Sequence, residues 1–456
     1  MNKKYNLLWI VIGISLLIRI KSLITPHDLW WDSSVYIEMG KYIWSFGKVG
    51  LWEPNRPLVW PLILGFFWRI GLDSILVGKI LITLFSLGII SLTYLISAKI
   101  FNKEVAFLSS LFISVFSTFL RFNNILFSEI PSTFFLMLGI YHFFNKKHLL
   151  SGLFLSIAFM TRFFQLFCII PIFLVYAYYL VKKKASFKDT LILSSSFGLP
   201  VLIFLIINYI LYKNPFEPFL IQAYMTRNTG WIFHQPFNFY FVNLMKQNYF
   251  TVFAIIGLLF ISIKKKFNHI IISVLFLFPF ILYLTEKHKE MRLLIAVLPF
   301  MFMLTADGIT NFANLFKRAK FAVLSVILIV FVIQSASTIM YDQYDDNLDS
   351  FYDYMGKTEI TEGIWISNPS FIVYSEKKAQ ELIYYPLYYS GKIEQLQGKV
   401  DEANAVLINT CDIMPCPESD TGCILKTGQL ISSLNTTLTL IYHQEQGSCR
   451  HYIFER

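Results

Sequence analysis

Residues 74–100 read SILVGKILITLFSLGIISLTYLISAKI, a run with two lysines, at positions 79 and 99, and no acidic residue. A helix rises about 1.5 Å per residue, so an apolar helix of roughly 20 residues crosses a hydrocarbon core about 30 Å thick. Similar runs recur on both sides of this one. They predict spans over 6–24, 74–100, 104–121, 124–144, 149–163, 164–181, 190–212, 249–263, 268–284, 292–313 and 321–340. The chain has 456 residues, is 55% hydrophobic and has a mean hydropathy of +0.56, more apolar surface than a soluble protein of this length needs. The expected fold class is a polytopic α-helical membrane protein with about eleven transmembrane helices and one small C-terminal external α/β domain.

The first run, Leu7 to Ile24, follows Met1-Asn2-Lys3-Lys4. It contains Arg19 and Lys21 and lacks a small-residue cleavage site, so it reads as a retained first helix and not a signal peptide. Arg19, near the far end of that helix, is expected to snorkel to the interface. Alternate loops are basic: Lys99 with Lys103, Lys146-Lys147, Lys182-Lys183-Lys184 with Lys188, Lys264-Lys265-Lys266, and Lys317-Arg318 with Lys320. With eleven crossings these loops and the N-terminus share one side, which the positive-inside rule makes the cytoplasm. The C-terminal part is then external, and the expected location is a multi-pass protein of the cell membrane.

The formal charge of +10 is unevenly spread. Residues 341–456 carry 17 Asp/Glu against 8 Lys/Arg, and the remainder carries 12 against 31. The positive charge belongs to short loops between helices, so the balance does not point to a nucleic-acid partner. The expected division is a transmembrane catalytic region over 1–340 and an external domain over 341–456. In the latter, Gly363–Ser367, Ala405–Asn409, Leu438–His443 and His451–Phe454 read as strands and Leu425–Leu434 as a helix, a small α/β pattern. Cys411, Cys416, Cys423 and Cys449 are an even set in an external domain, which predicts two disulfides with three connectivities open. A zinc site is the competing reading, though no C-x-x-C pair is present.

The chemistry-bearing stretch is the first external loop, residues 25–73. It holds Asp28-Leu29-Trp30-Trp31-Asp32-Ser33-Ser34-Val35-Tyr36 and then Glu53-Pro54-Asn55-Arg56-Pro57-Leu58-Val59-Trp60-Pro61. The loop also contains an amphipathic stretch from Ser34 to Ser45 and an apolar stretch from Pro57 to Ile70, too short to span and suited to the interface. A carboxylate beyond a helix end, among tryptophans at the headgroup level, is placed to meet a lipid-borne substrate, and desolvation would make it a better base. Asp32 reads equally well as the N-cap of a juxtamembrane helix. A second long loop, 213–248, is rich in aromatics and Asn.

These residues resemble the GT-C superfamily of glycosyltransferases that use polyprenyl-phosphate sugars. The likeness is greatest to glycosyltransferase family 39, the protein O-mannosyltransferase and aminoarabinose-transferase type. Asp32…Tyr36 matches the family's D-x-x-x-Y pattern. Gly47 and Gly50 follow, then Arg56-Pro57-Leu58-Val59-Trp60-Pro61, where one Pro of the family's P-P-L is missing and Ser33 stands where a second acid is common. Ser128-Glu129-Ile130-Pro131, Thr161-Arg162 and Glu290-Met291-Arg292-Leu293-Leu294 continue the likeness, which covers roughly residues 6–310.

The resemblance implies an inverting transfer of one sugar, on the external face, from a polyprenyl (dolichyl) phosphate to a protein, glycan or lipid acceptor. Asp32 would be the general base and Glu53 the second carboxylate. Tyr36, Arg56, Glu129, Arg162, Lys287, Lys289 and Arg292 would bind substrate, the cations facing the leaving phosphate. His288, between two lysines, is expected to be exposed. No cofactor is implied and no His/Asp cluster has metal spacing, although the loop carboxylates could share a divalent cation with the phosphate. The alternative from another class is a transporter or flippase of lipid-linked sugars. Its polar residues would sit at mid-membrane on broken helices, whereas here they gather toward one face.

Overall fold

A helix covers each apolar run, with ends set by the residues that interrupt it. The computed structural model describes residues 6–24, 29–228, 233–264, 266–338, 348–383, 392–413, 422–447 and 449–456. The helices are Asn6–Ile24, Ser74–Ile100, Lys103–Val115, Glu129–Phe144, His148–Thr161, Leu166–Val181, Phe187–Tyr212, Phe253–Lys264, Phe267–Thr285, Leu298–Ala313 and Lys320–Ser337. Among the described residues, five stretches are by length and composition sufficient to cross a membrane: Ser74–Ile100, Phe163–Val181, Phe187–Tyr212, Phe267–Thr285 and Leu298–Ser337. The last is bent at Phe316. On Phe187–Tyr212, Leu191, Leu199, Leu202, Ile206 and Ile210 are exposed, a face that lipid accommodates and water does not.

Two expected spans are interrupted. The run 104–121 breaks at Phe116, whose extended backbone separates Lys103–Val115 from the short helix Ser117–Arg121. The run 292–313 opens with a 3-10 segment, Met291–Ala296, before the α-helix begins at Leu298. In the first loop, the amphipathic stretch is the helix Trp31–Trp44 and the apolar one the helix Val59–Arg69.

Contacts group the chain into two compact units, differently from a cut at residue 341. One comprises residues 1–26, 79–204 and 235–342; the other comprises 27–78, 205–234 and 343–456. In the first, Phe253–Lys264 and Leu298–Ala313 approach through two glycines: a Cβ on Gly257 would lie 2.2 Å from the Leu304 carbonyl oxygen, and one on Gly308 would lie 2.2 Å from that of Phe253. Small residues at the crossing let helix backbones meet where lipid gives no hydrophobic drive. Arg19 also lies in this unit, and it does not snorkel. It is fully buried, its guanidinium donating to Ser86 Oγ at 2.7 Å, Asn123 Oδ1 at 3.2 Å and the carbonyls of Ser15 and Ser114. Polar partners inside the bundle outweigh the short climb to the interface.

The second unit is organised by a five-stranded sheet. Its strands are β1 (Ile364–Ile366), β2 (Ala379–Leu382), β3 (Ala405–Asn409), β4 (Thr439–Gln446) and β5 (Cys449–Glu455), in the order β2-β1-β3-β5-β4. β1 runs parallel to β2 and β3, and β5 runs antiparallel to β3 and β4. Side chains alternate between faces of a strand. Val406 and Ile408 of β3 join Leu430 and Leu434 of the helix Cys423–Thr437 in one apolar cluster. Ala405 and Leu407 join a different cluster, which contains Val35, Met39 and Leu51 of the first loop. The second face of the tail's sheet is therefore covered by the first loop, which is why the two belong to one unit.

Cys411 and Cys449 form a disulfide. Asn409 pairs with His451 across β3 and β5, so the end of that ladder brings Cys411, in the short helix Thr410–Ile413, beside Cys449 at the start of β5. Cys416 and the side chain of Cys423, expected in a second bridge, lie outside the described residues.

The helices Trp31–Trp44 and Val59–Arg69 cross at two glycines. A Cβ on Gly65 would stand 2.3 Å from the Gly40 carbonyl oxygen and 2.6 Å from Trp44 Cδ1. Alanine normally adds up to about 1 kcal/mol of helix propensity over glycine. Here the contact is with backbone, which can yield only by separating the helices, and overpacking of this kind costs roughly 1–3 kcal/mol. Gly65→Ala is expected to lower the thermal midpoint of the detergent-solubilised protein, despite its better propensity. An unchanged or raised midpoint would show that the crossing tolerates a wider spacing.

Candidate active site

Asp32 lies in the first turn of Trp31–Trp44, and the N-cap is Trp30, with no side-chain capping bond. The capping role open to Asp32 from sequence is therefore not the one it holds. Its carboxylate meets Arg56 Nη2 at 2.8 Å, and Arg56 also donates through Nε to Glu53. Tyr36, one turn beyond Asp32, places its ring 5.7 Å from the Arg56 Cζ. Four residues expected together from the sequence thus form one cluster inside one compact unit.

The cluster holds two carboxylates against one guanidinium. Glu53 is fully buried, whereas the Asp32 side chain is 16% exposed. Burial pushes the Glu53 carboxyl above its ordinary range; Arg56 opposes this and the nearby Asp32 charge adds to it. Unequal environments around paired carboxyls separate an acid from a base. Here burial makes Glu53 a carboxyl that holds its proton above the ordinary range.

The loop is carried by close backbone contacts. Gly50, at φ +84°, has the Glu38 carbonyl oxygen 2.2 Å from where a Cβ would stand. Its N–H donates to the Lys377 carbonyl and its own carbonyl accepts from Ala379 N–H, at 2.9 and 3.0 Å. Only glycine combines that backbone conformation with that approach.

A second cluster lies in the other unit. Glu129, in the first turn of Glu129–Phe144, pairs with Arg162 Nη1 at 3.1 Å and Arg292 Nε at 3.5 Å. Arg162 donates to Ser128 Oγ at 3.2 Å, and Arg292 pairs with Glu290 at 2.8 Å. The rings of Phe164 and Phe127 lie 5.7 and 5.0 Å from the respective Cζ atoms. Local backbone explains the placement. Arg162 ends the helix His148–Thr161 in an extended conformation, and Arg292 sits in the 3-10 segment. Both side chains thereby leave the regular helical stripe.

Lys289 and Lys287 stand differently from the arginines. Lys289 is buried and its ammonium donates to the carbonyls of Gln235 and Glu286. Lys287 is exposed, and its carbonyl accepts from Gln235 N–H. Among the described residues, no group of three or more His, Cys, Asp or Glu could hold a metal ion.

The sequence matches the Alg9-like mannosyltransferase family over residues 14–362. The chain belongs to that family. It is thus a membrane glycosyltransferase of GT-C type, and the flippase alternative is set aside. The GT-C fold is also that of the structural neighbours. ArnT from Cupriavidus metallidurans, solved with undecaprenyl phosphate, superposes with a TM-score of 0.69 at 10% identity, covering 99% of this chain and 98% of that one. The Archaeoglobus fulgidus oligosaccharyltransferase, solved with a tethered acceptor peptide, superposes with a TM-score of 0.62 at 12% identity, covering 89% and 69%. No curated protein is close enough in sequence to be matched.

Two residues of the second cluster were not assigned from sequence. His288, expected to be exposed, is half-buried and places Nε2 2.8 Å from Glu290 Oε1, the atom that also meets Arg292. Burial raises the Glu290 pKa, but Arg292 and the His288 bond outweigh it and hold that carboxyl down to about 2. The run Glu286-Lys287-His288-Lys289-Glu290 alternates sign and reads as a solvated loop; nothing in that pattern marks which of its charges turn inward.

Proposed function

We propose that the chain moves one sugar from a polyprenyl (dolichyl) phosphate to an acceptor hydroxyl on the external side of the membrane, with inversion and with Asp32 as general base. The observation that carries this reading is the Asp32–Arg56–Glu53 cluster: a carboxylate in the first turn of its helix and not at the N-cap, partly open, and ion-paired to Arg56 beside a more deeply buried partner. In the step, the acceptor oxygen bonds to the anomeric carbon as the bond from that carbon to phosphate oxygen breaks. Asp32 takes the acceptor proton, and polyprenyl phosphate leaves as the anion. One in-line displacement inverts the centre.

Arg162 and Arg292 are assigned to the phosphate, with Glu129 holding both guanidiniums oriented before the donor arrives. Arg suits this task because its planar fork matches phosphate oxygens in pairs. Tyr36 and Arg56 are assigned to substrate contact near Asp32. Lys289 serves the seat of the loop, and Lys287 is an exposed cation at its edge. The acceptor is a protein, glycan or lipid hydroxyl. The family name makes mannose the first sugar to test.

The test is to incubate membranes containing the chain with a panel of polyprenyl-phosphate sugars, polyprenyl phosphomannose first, and to identify products by mass spectrometry. Free polyprenyl phosphate and a glycosylated acceptor should appear together. Flipping of intact donor without cleavage would overturn the reading.

The same reading takes eleven crossings in the cell membrane, a cytoplasmic N-terminus, a transmembrane catalytic region over 1–340 and an external domain over 341–456. The alternating basic loops and the Cys411–Cys449 bridge support it. A reporter active only in the cytoplasm, fused after Arg456, is expected to be silent. Strong activity would require an even number of crossings.

A further inference from the structure

The helix that begins with Trp31 is gripped by one short segment of the tail. Ser370 Oγ lies 2.8 Å from Ser34 Oγ and 3.5 Å from the Leu29 carbonyl oxygen, so its contacts flank Asp32 in the chain. Further along, the Lys41 ammonium donates to the carbonyls of Val373 and Ser375 at 2.7 and 3.1 Å and pairs with Glu38 at 3.0 Å. Two carbonyls and one carboxylate thus surround the ammonium. Both side chains are buried. Between the polar ties, Val35 and Met39 pack in one cluster with Phe371 and Ile372. Beyond them, Gly50 bonds to Lys377 and Ala379 three residues before Glu53. A stretch of eleven tail residues, 369–379, therefore seats both carboxylates of the acid cluster.

We propose that residues 369–379 are a positioning element for the sugar transfer, with Lys41 as the clamp that holds the Asp32 helix on them. This rests on Asp32 as the base. The tail then acts on the geometry of the acid cluster and not as a receptor for the acceptor. An ammonium bonded to two tail carbonyls fixes the helix in rotation as well as in distance, which apolar packing by Val35 and Met39 does not do. Burial, with the Glu376 charge adding and Lys41 opposing, pushes the Glu38 carboxyl up to about 7. Glu38 is thus a strained partner, retained where an apolar residue would pack more easily.

The pair variant Glu38→Gln/Lys41→Met removes both charges at once, so the fold is not left with a lone buried carboxylate. With polyprenyl phosphomannose as donor, in membranes holding the native acceptors, kcat should fall by about 10²-fold, the effect of a displacement of roughly 1 Å in a reacting group. KM for that donor should stay within about twofold, because clamp loss alters transition-state geometry and not uniform binding. In an Asp32→Asn background the same pair variant should bring no further fall, since groups that act as a unit are not additive. A Ser34→Cys/Ser370→Cys bridge, built where the two hydroxyls already touch, should return at least about tenfold of the lost kcat.

An unchanged kcat overturns the proposal. So does an equal loss with and without Asp32, or a raised acceptor KM at constant kcat, which would make the tail an acceptor site. Normal turnover by Asp32→Asn alone would overturn the base assignment, and it is read separately from the pair variant and its bridge.

Discussion

Asp32→Asn is expected to lower turnover of a polyprenyl-phosphate sugar by ~10²–10⁴ while leaving affinity for the lipid phosphate in place. Asn keeps the shape and removes the charge. The stability side of this change is small. The N-cap position belongs to Trp30 and is unchanged, and a partly exposed ion pair such as Asp32–Arg56 contributes about 1 kcal/mol or less. A hundredfold loss of rate corresponds to roughly 2.7 kcal/mol of transition-state stabilisation, well above that. Steady-state rates on equal amounts of folded protein decide the matter. Near-normal turnover would mean that Asp32 only orients Arg56. Glu53→Gln is expected to cost less, because the buried carboxyl already keeps its proton more readily and Arg56 retains Asp32 as a partner.

The second large effect concerns the arginines on Glu129. Arg292→Ala and Arg162→Ala should each weaken binding of polyprenyl phosphate, measured without acceptor, by roughly 30-fold or more, since truncating one member of a buried charge pair costs at least about 2 kcal/mol. Arg292 should show the greater loss, because it meets two carboxylates and its removal takes a charge partner from both Glu129 and Glu290. Lys in place of either Arg keeps the charge and loses the fork, so those variants should fall between the parent and Ala. Full affinity in both folded Ala variants would take these arginines out of the phosphate site and leave Lys287, Lys289 or Arg56 as the anion contacts.

How far each feature could be read in advance follows from the range of the interactions that make it. Helix positions were legible because an apolar run in lipid must satisfy its own backbone. The break at Phe116 was not, because an unsatisfied turn is tolerated where neighbouring protein replaces the missing bonds, and local sequence carries no trace of those neighbours. Four strands of the tail showed as apolar runs, but β2 reads Ala379-Gln380-Glu381-Leu382 and has no strand signature of its own. It is a strand because β1 offers it an edge on one side and Gly50 bridges to Lys378 just before it.

By itself, the sequence determined the membrane class, the alternation of basic loops, the small α/β tail and the residue types of both clusters, because each depends on composition or on spacing within one element. Only the tertiary structure decided which charges meet. It joined Asp32 and Glu53 through Arg56 and Arg162 to Arg292 through Glu129, buried Arg19, turned Lys289 toward backbone carbonyls and selected Cys449 as the partner of Cys411. It also set the first loop against the second face of the tail's sheet, more than 300 residues along the chain. Pairings across such separations depend on burial and register, which come into being only when distant segments pack and leave no periodic mark in the local sequence.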